Sequence, residues 1–484
     1  MALSRRGLLR LGALAAGTSA CARLRGQRKS PQGRVVVLGA GLSGLAAADA
    51  LVRAGYEVVV LEAQAQAGGR VRTLRAPFYD GQYAELGATR IPDYHDLTLR
   101  FARELGLPLV ELSVTGPRVL YHVRGHRFVH EEGQPFPLPL TGREAGADGS
   151  GLWKTYVEPT LADVGDPRAP GWPGPGARRH DGQTFAQLLR ARGASEDAIA
   201  VFLAENGTEA TAFGAAIWLG CERMDLAWKR TYAIAGGNDQ LPRGLARRLG
   251  ARVRYGHEIV RIEQHLGGVT VVARTGQGAV RVEADRAVCA LPFSTLRRID
   301  AAPMWSPDKA RAIRELAYMP VCRTNFQTRT RFWKREGLGG LAMVRTDLPV
   351  ERVWDLSCVQ PGQRGMLVSY VHHDHARALC DVGSEATRAT HSLEQMRALW
   401  PDVADHVEVA TSHAWQEDRW AGGGWGYHQP GQTGWMFEAA MSADGLVHFA
   451  GEHTSAFPGW MQGALASGLR AAEEVARSLR AQAA

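Results

Sequence analysis

The most regular hydrophobic pattern lies near the start of the chain. There Val35-Val36-Val37-Leu38 runs apolar without interruption, as a short strand covered on both faces does. The run breaks into Gly39-Ala40-Gly41-Leu42-Ser43-Gly44 and resumes as an alanine- and leucine-rich helical stretch to Arg53. Gly55 stops that helix, and Tyr56–Leu61 gives a second apolar strand that closes on Glu62. Together these make a βαβ unit of a parallel sheet. Further strands are expected at Ala251–Tyr255, Val260–Gln264, Val269–Ala273 and Ala287–Ala290. Alternation in Thr324–Thr330 and Met366–Val371 predicts strands of an antiparallel sheet. Phe185–Arg192 and Glu196–Asn206 carry the helical period. Asp163–Gly182, with Asp-Pro, Ala-Pro, Trp-Pro and Gly-Pro steps, reads as a long surface loop or linker.

These elements predict an α/β protein whose chain crosses repeatedly between three units. A Rossmann-like dinucleotide-binding domain gathers residues 33–72, 237–300 and 445–484. An antiparallel-sheet domain gathers 73–122 and 301–444, and a mostly helical subdomain spans 123–236. A length of 484 residues exceeds what one compact core holds. No internal repeat is visible.

The βαβ unit already carries chemistry. Gly39, Gly41 and Gly44 follow the G-x-G-x-x-G spacing, and Glu62 lies at the distance where a ribose hydroxyl is accepted. The glycines allow the tight turn and let main chain approach a pyrophosphate, which faces the helix N-terminus at Leu42 and Ser43. A carboxylate at Glu62 repels a 2′-phosphate, which argues against NADP. The fingerprint alone leaves NAD and FAD open.

Composition changes this picture only at the N-terminus. The chain is 45% hydrophobic and 22% charged, ordinary for a globular protein. Of the net charge of +8, seven units come from Arg5, Arg6, Arg10, Arg23, Arg25, Arg28 and Lys29, which leaves +1 for the rest. That balance gives no electrostatic case for nucleic acid. Residues 1–30 read as a targeting segment: Ser4-Arg5-Arg6-Gly7-Leu8-Leu9-Arg10 resembles the twin-arginine export motif, followed by an apolar stretch too short to span a bilayer. Cleavage after Ala22 fits the Ala-x-Ala rule; acylation of Cys21, as in a lipoprotein, is the alternative. A periplasmic or extracellular protein without a transmembrane anchor is expected. The cysteines beyond it, Cys221, Cys289, Cys322, Cys358 and Cys380, are odd in number and widely spaced. They predict small buried hydrophobes and no disulfide framework. His372-His373-Asp374-His375 does not predict a metal site, because adjacent strand residues point to opposite faces.

Several further runs carry a family resemblance. Ala67-Gly68-Gly69-Arg70-Val71-Arg72-Thr73 resembles the GGR motif of the flavin amine oxidases. His448-Phe449-Ala450-Gly451-Glu452 with Gly459-Trp460-Met461-Gln462-Gly463-Ala464 is similar to their flavin-ring motif. Gly236–Pro242 and Cys289-Ala290-Leu291-Pro292 match further landmarks, so the resemblance covers about Arg34 to Leu479. It implies FAD held by the fingerprint residues, by Glu62 and Ala63, and by Gly69 with Arg70 as a counter-charge to the diphosphate. It also implies contacts from Gly87, Ala88 and Thr89, from the Val260 backbone at the adenine, and from Gly451, Glu452, Trp460, Met461 and Ala464 near the ring. Where some relatives attach flavin through a cysteine, Gly424 stands here, so the FAD is expected to be noncovalent.

Glu85-Leu86-Gly87-Ala88-Thr89-Arg90-Ile91-Pro92 is similar to the L-amino-acid oxidase branch and to tryptophan monooxygenases. There the arginine matching Arg90 grips the substrate carboxylate. A planar guanidinium suits that task, since it offers two parallel charge-assisted hydrogen bonds. Phe332-Trp333 and Thr346-Asp347-Leu348-Pro349 resemble landmarks of the same branch, and Trp354 falls where those enzymes carry a carboxylate-binding tyrosine. Trp425, Gly459 and Trp460 match the aromatic slot around the substrate amine. The implied reaction moves hydride from the Cα of an L-amino acid, large neutral or aromatic, to flavin N5. Water and oxygen then give the 2-oxo acid, ammonia and hydrogen peroxide. Arg323 departs from the pattern, standing where most relatives have a lysine near N5; an arginine keeps its charge but does not deprotonate. An amino-acid dehydrogenase using another acceptor, an amine or polyamine oxidase, a desaturase of apolar substrates and a noncatalytic flavoprotein remain the alternatives. A homodimer is compatible with the family.

Overall fold

The computed structural model describes residues 32–483 apart from Val114, Thr115 and Pro117, and these form one compact unit. The segment expected to be a targeting signal, with Cys21, lies outside the described residues. The strand Arg34–Leu38 is buried almost throughout and lies at the centre of a five-stranded sheet in which every pairing is parallel. Its neighbours are Glu57–Leu61 and Arg286–Cys289, with Val253–Arg254 and Val447–Phe449 at the edges. The helices Leu42–Arg53 and Met461–Ala483 bury their apolar faces together on one side of this sheet, so the first and last described helices share one core. Gly44 makes that packing possible: a Cβ there would meet the Gly39 carbonyl oxygen at 2.1 Å. The expected strand Ala251–Tyr255 is mostly a 3-10 turn, Gly250–Arg252, with only Val253–Arg254 paired.

A seven-stranded sheet runs in the order Val407–Ala414, Val321–Thr328, Gly365–His372, Arg352–Asp355, Val344–Thr346, Arg118–Val123 and His126–Glu131. All its pairings are antiparallel except Val344–Thr346 with Arg118–Val123. The strands expected at Thr324–Thr330 and Met366–Val371 run at Val321–Thr328 and Gly365–His372, and every residue in both is buried. The reason is cover on both faces. Thr324 meets Ser392 of the helix Glu385–Met396 on one side, and Gln327 hydrogen-bonds Gln82 on the other. Residues 123–236 begin with the strand His126–Glu131 of this sheet and then turn helical, through Glu196–Asn206 and Ala215–Asp225. Asp163–Gly182 is not a free surface loop. It holds the short helix Pro175–Arg178, and Trp172 is buried in it, donating to the Val164 carbonyl at 3.0 Å with its ring 4.7 Å from Phe437.

His372 and His373 do not share a strand. His372 ends the Gly365–His372 strand, while His373 takes φ +43° and opens the helix His373–Asp381. His372 and His375 both turn to Glu351, at 2.8 and 3.0 Å. Among the described residues no group of three or more His, Cys, Asp or Glu side chains is arranged to hold a metal ion. Nor is any described helix long and apolar enough to cross a membrane.

Candidate active site

One continuous cavity of about 930 Å³ runs from Glu62 at the parallel sheet to Trp460, Trp354 and the helix Ala215–Asp225. It is lined by every residue singled out from the sequence as a cofactor or substrate contact, except Gly44, which serves the helix–strand packing just described.

At the sheet end the wall is main chain. Gly41 faces open space, with nothing within 4 Å of where a Cβ would lie, and it precedes the helix Leu42–Arg53, which has no side-chain cap. The orphan N–H groups of that helix start are therefore free for an anion. Gly39 and Gly69 have φ of +97° and +57°, conformations that favour glycine. Glu62 is held by the backbone N–H of Ala40 at 2.7 Å and of Gln64 at 2.8 Å, one on each carboxylate oxygen. Burial raises its pKa, and the backbone donors oppose that. Val260 lies where the register of Glu258–His265 shifts against Gly268–Thr275, so its main chain leaves the ladder beside the cavity. An elongated trough, an uncapped helix start, glycines at the approach and a buried carboxylate form a donor and acceptor set that fits a flavin dinucleotide.

Around the middle of the cavity the chain is tied by Glu452. Its Oε1 accepts from Arg70 at 2.7 Å and from the Gly426 N–H at 3.1 Å, while Oε2 accepts from the Gly459 N–H at 2.8 Å. One buried carboxylate thus joins the segments that carry Trp425 and Trp460. Arg70 also donates to the Gly424 carbonyl at 3.1 Å. Arg70 thus pairs with Glu452 while it lines the cavity. Gly459 sits against Trp425, whose ring would be 3.3 Å from a Cβ. Gly87 cannot carry a side chain either, since its Cβ would meet the Arg70 carbonyl at 1.8 Å.

At the far end stands Arg90. Its guanidinium lies 5.0 Å from the Trp354 ring centroid, 5.1 Å from Trp460 and 5.3 Å from Trp228. Among the described residues it makes no ion pair and no hydrogen bond, and burial lowers its pKa to about 10. A cation walled by three indoles and without an anion is costly unless a ligand supplies one. Tyr370, also on the cavity wall, packs 4.6 Å from Trp354, and its hydroxyl has no protein partner among the described residues. Arg323 is buried below them: it donates to the Glu85 carbonyl at 3.0 Å and to Thr89 Oγ1, and lies 4.2 Å from the Tyr370 ring.

Sequence reasoning missed Trp228, Tyr370, Arg352 and the acids Glu205, Glu209, Glu222 and Asp225, all on the cavity wall. Arg352 bonds Glu209 at 3.0 Å and His372 at 2.9 Å, which holds it at the cavity. Trp228 follows the helix Ala215–Asp225 in an unpatterned turn, and nothing local marks it. Tyr370 had a visible sign, a phenol beside Ser369 in an otherwise apolar strand.

Comparison with known proteins agrees with this geometry. Residues 42–476 match the family model described as flavin containing amine oxidoreductase. The YobN protein of Bacillus subtilis (strain 168) is 31% identical over 459 residues, spanning 92% of this chain and 94% of its own. The flavin-dependent L-tryptophan oxidase RebO of Lentzea aerocolonigenes is 30% identical over 482 residues, covering 91% and 98%. Among solved structures, a putrescine oxidase triple mutant superposes with a TM-score of 0.80 at 26% identity, over 92% of this chain and 99% of that one. The cyclohexylamine oxidase of Brevibacterium oxydans gives 0.79 at 23% identity over 93% and 100%, a likeness of fold. The chain therefore belongs to the flavin-containing amine oxidoreductase family, and is a flavin-dependent oxidoreductase.

Proposed function

We propose that the protein oxidatively deaminates an L-amino acid, with noncovalently held FAD, to a 2-oxo acid, ammonia and hydrogen peroxide. The observation that carries this reading is the unpaired Arg90 guanidinium inside a box of three tryptophans. An amine substrate brings no anion to such a place, whereas an α-carboxylate supplies one and gains two charge-assisted hydrogen bonds. The relative named an L-tryptophan oxidase supports the same substrate class.

FAD supplies the hydride acceptor, at N5 of its ring. The chain's own residues supply position. Arg90 fixes the carboxylate, and the Tyr370 hydroxyl serves as its second donor, in place of the tyrosine that the sequence lacks at Trp354. Trp425 and Trp460, held in relation by Glu452, wall the amine and exclude water. Gly424, which carries no sulfur, supports noncovalent attachment. The aromatic box suits a large neutral or aromatic side chain. Arg323, bonded to Glu85 and Thr89, keeps a fixed positive charge on that wall, which suits reduction of oxygen without proton donation. The basic N-terminal segment supports export by the twin-arginine route to the periplasm or beyond.

The test is an aerobic screen of the twenty L-amino acids and of common mono- and diamines, reading peroxide and 2-oxo acid together. Turnover of L-amino acids alone is the expected result. Turnover confined to amines overturns the reading. Reduction of a dye without oxygen consumption replaces the oxidase by a dehydrogenase.

A further inference from the structure

Alternate residues of the strand Val321–Thr328 point to opposite faces. Arg323 faces the cavity, so Cys322 faces the helix His373–Asp381 packed on the other side. There its Sγ lies 3.6 Å from Sγ of Cys380, although 58 residues separate the two in sequence. The Gln416 side chain spans both: its Nε2 donates to Cys380 Sγ at 2.7 Å and to Cys322 Sγ at 3.4 Å, and its Oε1 accepts from the Val321 N–H at 3.0 Å. Around them are Val371, Ala376, Leu379 and Ala414. Cys322 is buried and Cys380 is partly exposed. The sequence spacing predicts small buried hydrophobes and no disulfide framework; folding brings these two into van der Waals contact.

We propose that Cys322 and Cys380 form a redox pair that closes to a disulfide in the folded protein, a modification site on the back of the strand that carries Arg323. A disulfide S–S bond is about 2.05 Å long, so the sulfurs need to approach by about 1.5 Å. Hydrogen peroxide is the oxidant named here. The Cys380 thiolate attacks the O–O bond, one oxygen leaves as hydroxide and takes a proton to become water, and Cys380 becomes a sulfenic acid. Cys322 then gives up its proton and attacks that sulfur. The S–S bond forms, the S–O bond breaks, and a second water leaves. Two thiols lose two electrons and one peroxide is reduced to two waters.

Cys380 is the attacking member because solvent reaches it. The hydrogen bond from Cys322 holds its thiol below the ordinary range, with Arg388 and Gln416 adding to this and burial opposing it. The closed loop contains Trp354 and Tyr370 of the cavity wall, and it fastens the helix that follows His372 directly to the neighbour of Arg323. The proposal stands apart from the substrate reading, because peroxide is added as a reagent.

The experiment treats the flavin-loaded full chain with hydrogen peroxide, alkylates the remaining thiols, and maps peptides without reductant. The expected result is a mass loss of about 2 Da and a cross-linked peptide pair joining Cys322 to Cys380. Dithiothreitol should reverse it, and the oxidised form should melt higher than the reduced one. Cys380→Ser should abolish the cross-link, while Cys358→Ser, at an exposed cysteine, should leave it intact. Free alkylation of both Cys322 and Cys380 after peroxide overturns the proposal. So does a gain of about 32 Da on Cys380 with Cys322 still alkylatable.

Discussion

At the Glu62 end of the cavity, Gly39, Gly41, Gly69 and the first turn of the helix Leu42–Arg53 present main chain, and the one side chain that matters is pinned by two backbone N–H groups. At the Trp460 end the contacts are side chains: a cation among three indoles, with the Tyr370 phenol beside it. The first wall recognises what every dinucleotide shares, so it needs only geometry that glycine permits. The second must choose among small molecules and does so with charge and shape. Glu452 joins them, since its carboxylate holds Arg70 on one side and the Trp425 and Trp460 segments on the other.

This division predicts which variants lose substrate and which lose flavin. The largest effect is expected for Arg90→Ala. Removing the carboxylate anchor should cost about 2–5 kcal/mol, roughly 30- to several-thousand-fold in kcat/KM for an L-amino acid. The visible flavin spectrum should persist. Gly41→Val does the opposite: its side chain enters the open space before the helix Leu42–Arg53, so the purified protein should be nearly colourless yet folded by circular dichroism. A yellow Gly41→Val protein with normal turnover breaks the comparison.

Glu452→Gln should strike both ends, because it removes the charge that Arg70 pairs with and weakens the acceptor for Gly426 and Gly459. A loss of about 1–3 kcal/mol of thermal stability, with lower flavin retention and lower kcat, is expected. Tyr370→Phe should be milder. Losing one hydroxyl donor of about 0.5–1.5 kcal/mol raises KM for amino acids about two- to tenfold with little change in flavin content. An unchanged KM assigns that hydroxyl no part in binding.

The smallest effect concerns pH. Lys309 is buried under the parallel sheet, donating to the Ala440 carbonyl at 2.9 Å, and burial brings its pKa down to about 7. The unfolded chain holds that proton up to about pH 10.4. Between about pH 7 and 10 the unfolded state therefore binds more protons, and this group makes stability rise with pH. Lys309→Met should flatten that rise in melting temperature, with flavin and substrate affinity untouched.

The backbone-built end was largely legible in the sequence. Val35–Leu38, the glycine spacing and Glu62 are local, and their chemistry follows from a continuous run of residues. Arg90 was legible through the short segment around it. Its setting was not: Trp228, Trp354 and Trp460 come from three separate stretches, and no local pattern announces that they converge. The pairing of Arg70 with Glu452 was not legible, because the two lie 382 residues apart. The full burial of Val321–Thr328 was not legible, because the helix Glu385–Met396 that covers one of its faces comes much later in the chain. The contact of Cys322 with Cys380 was hidden for the same reason.

The most direct measurement is anaerobic flavin reduction in the wild-type protein and in Arg90→Ala, using an L-amino acid and the amine left when its carboxylate is removed. The account predicts rapid bleaching of the wild type by the amino acid only, and loss of that preference in the variant. Equal bleaching of the wild type by both compounds, unchanged by the substitution, contradicts it.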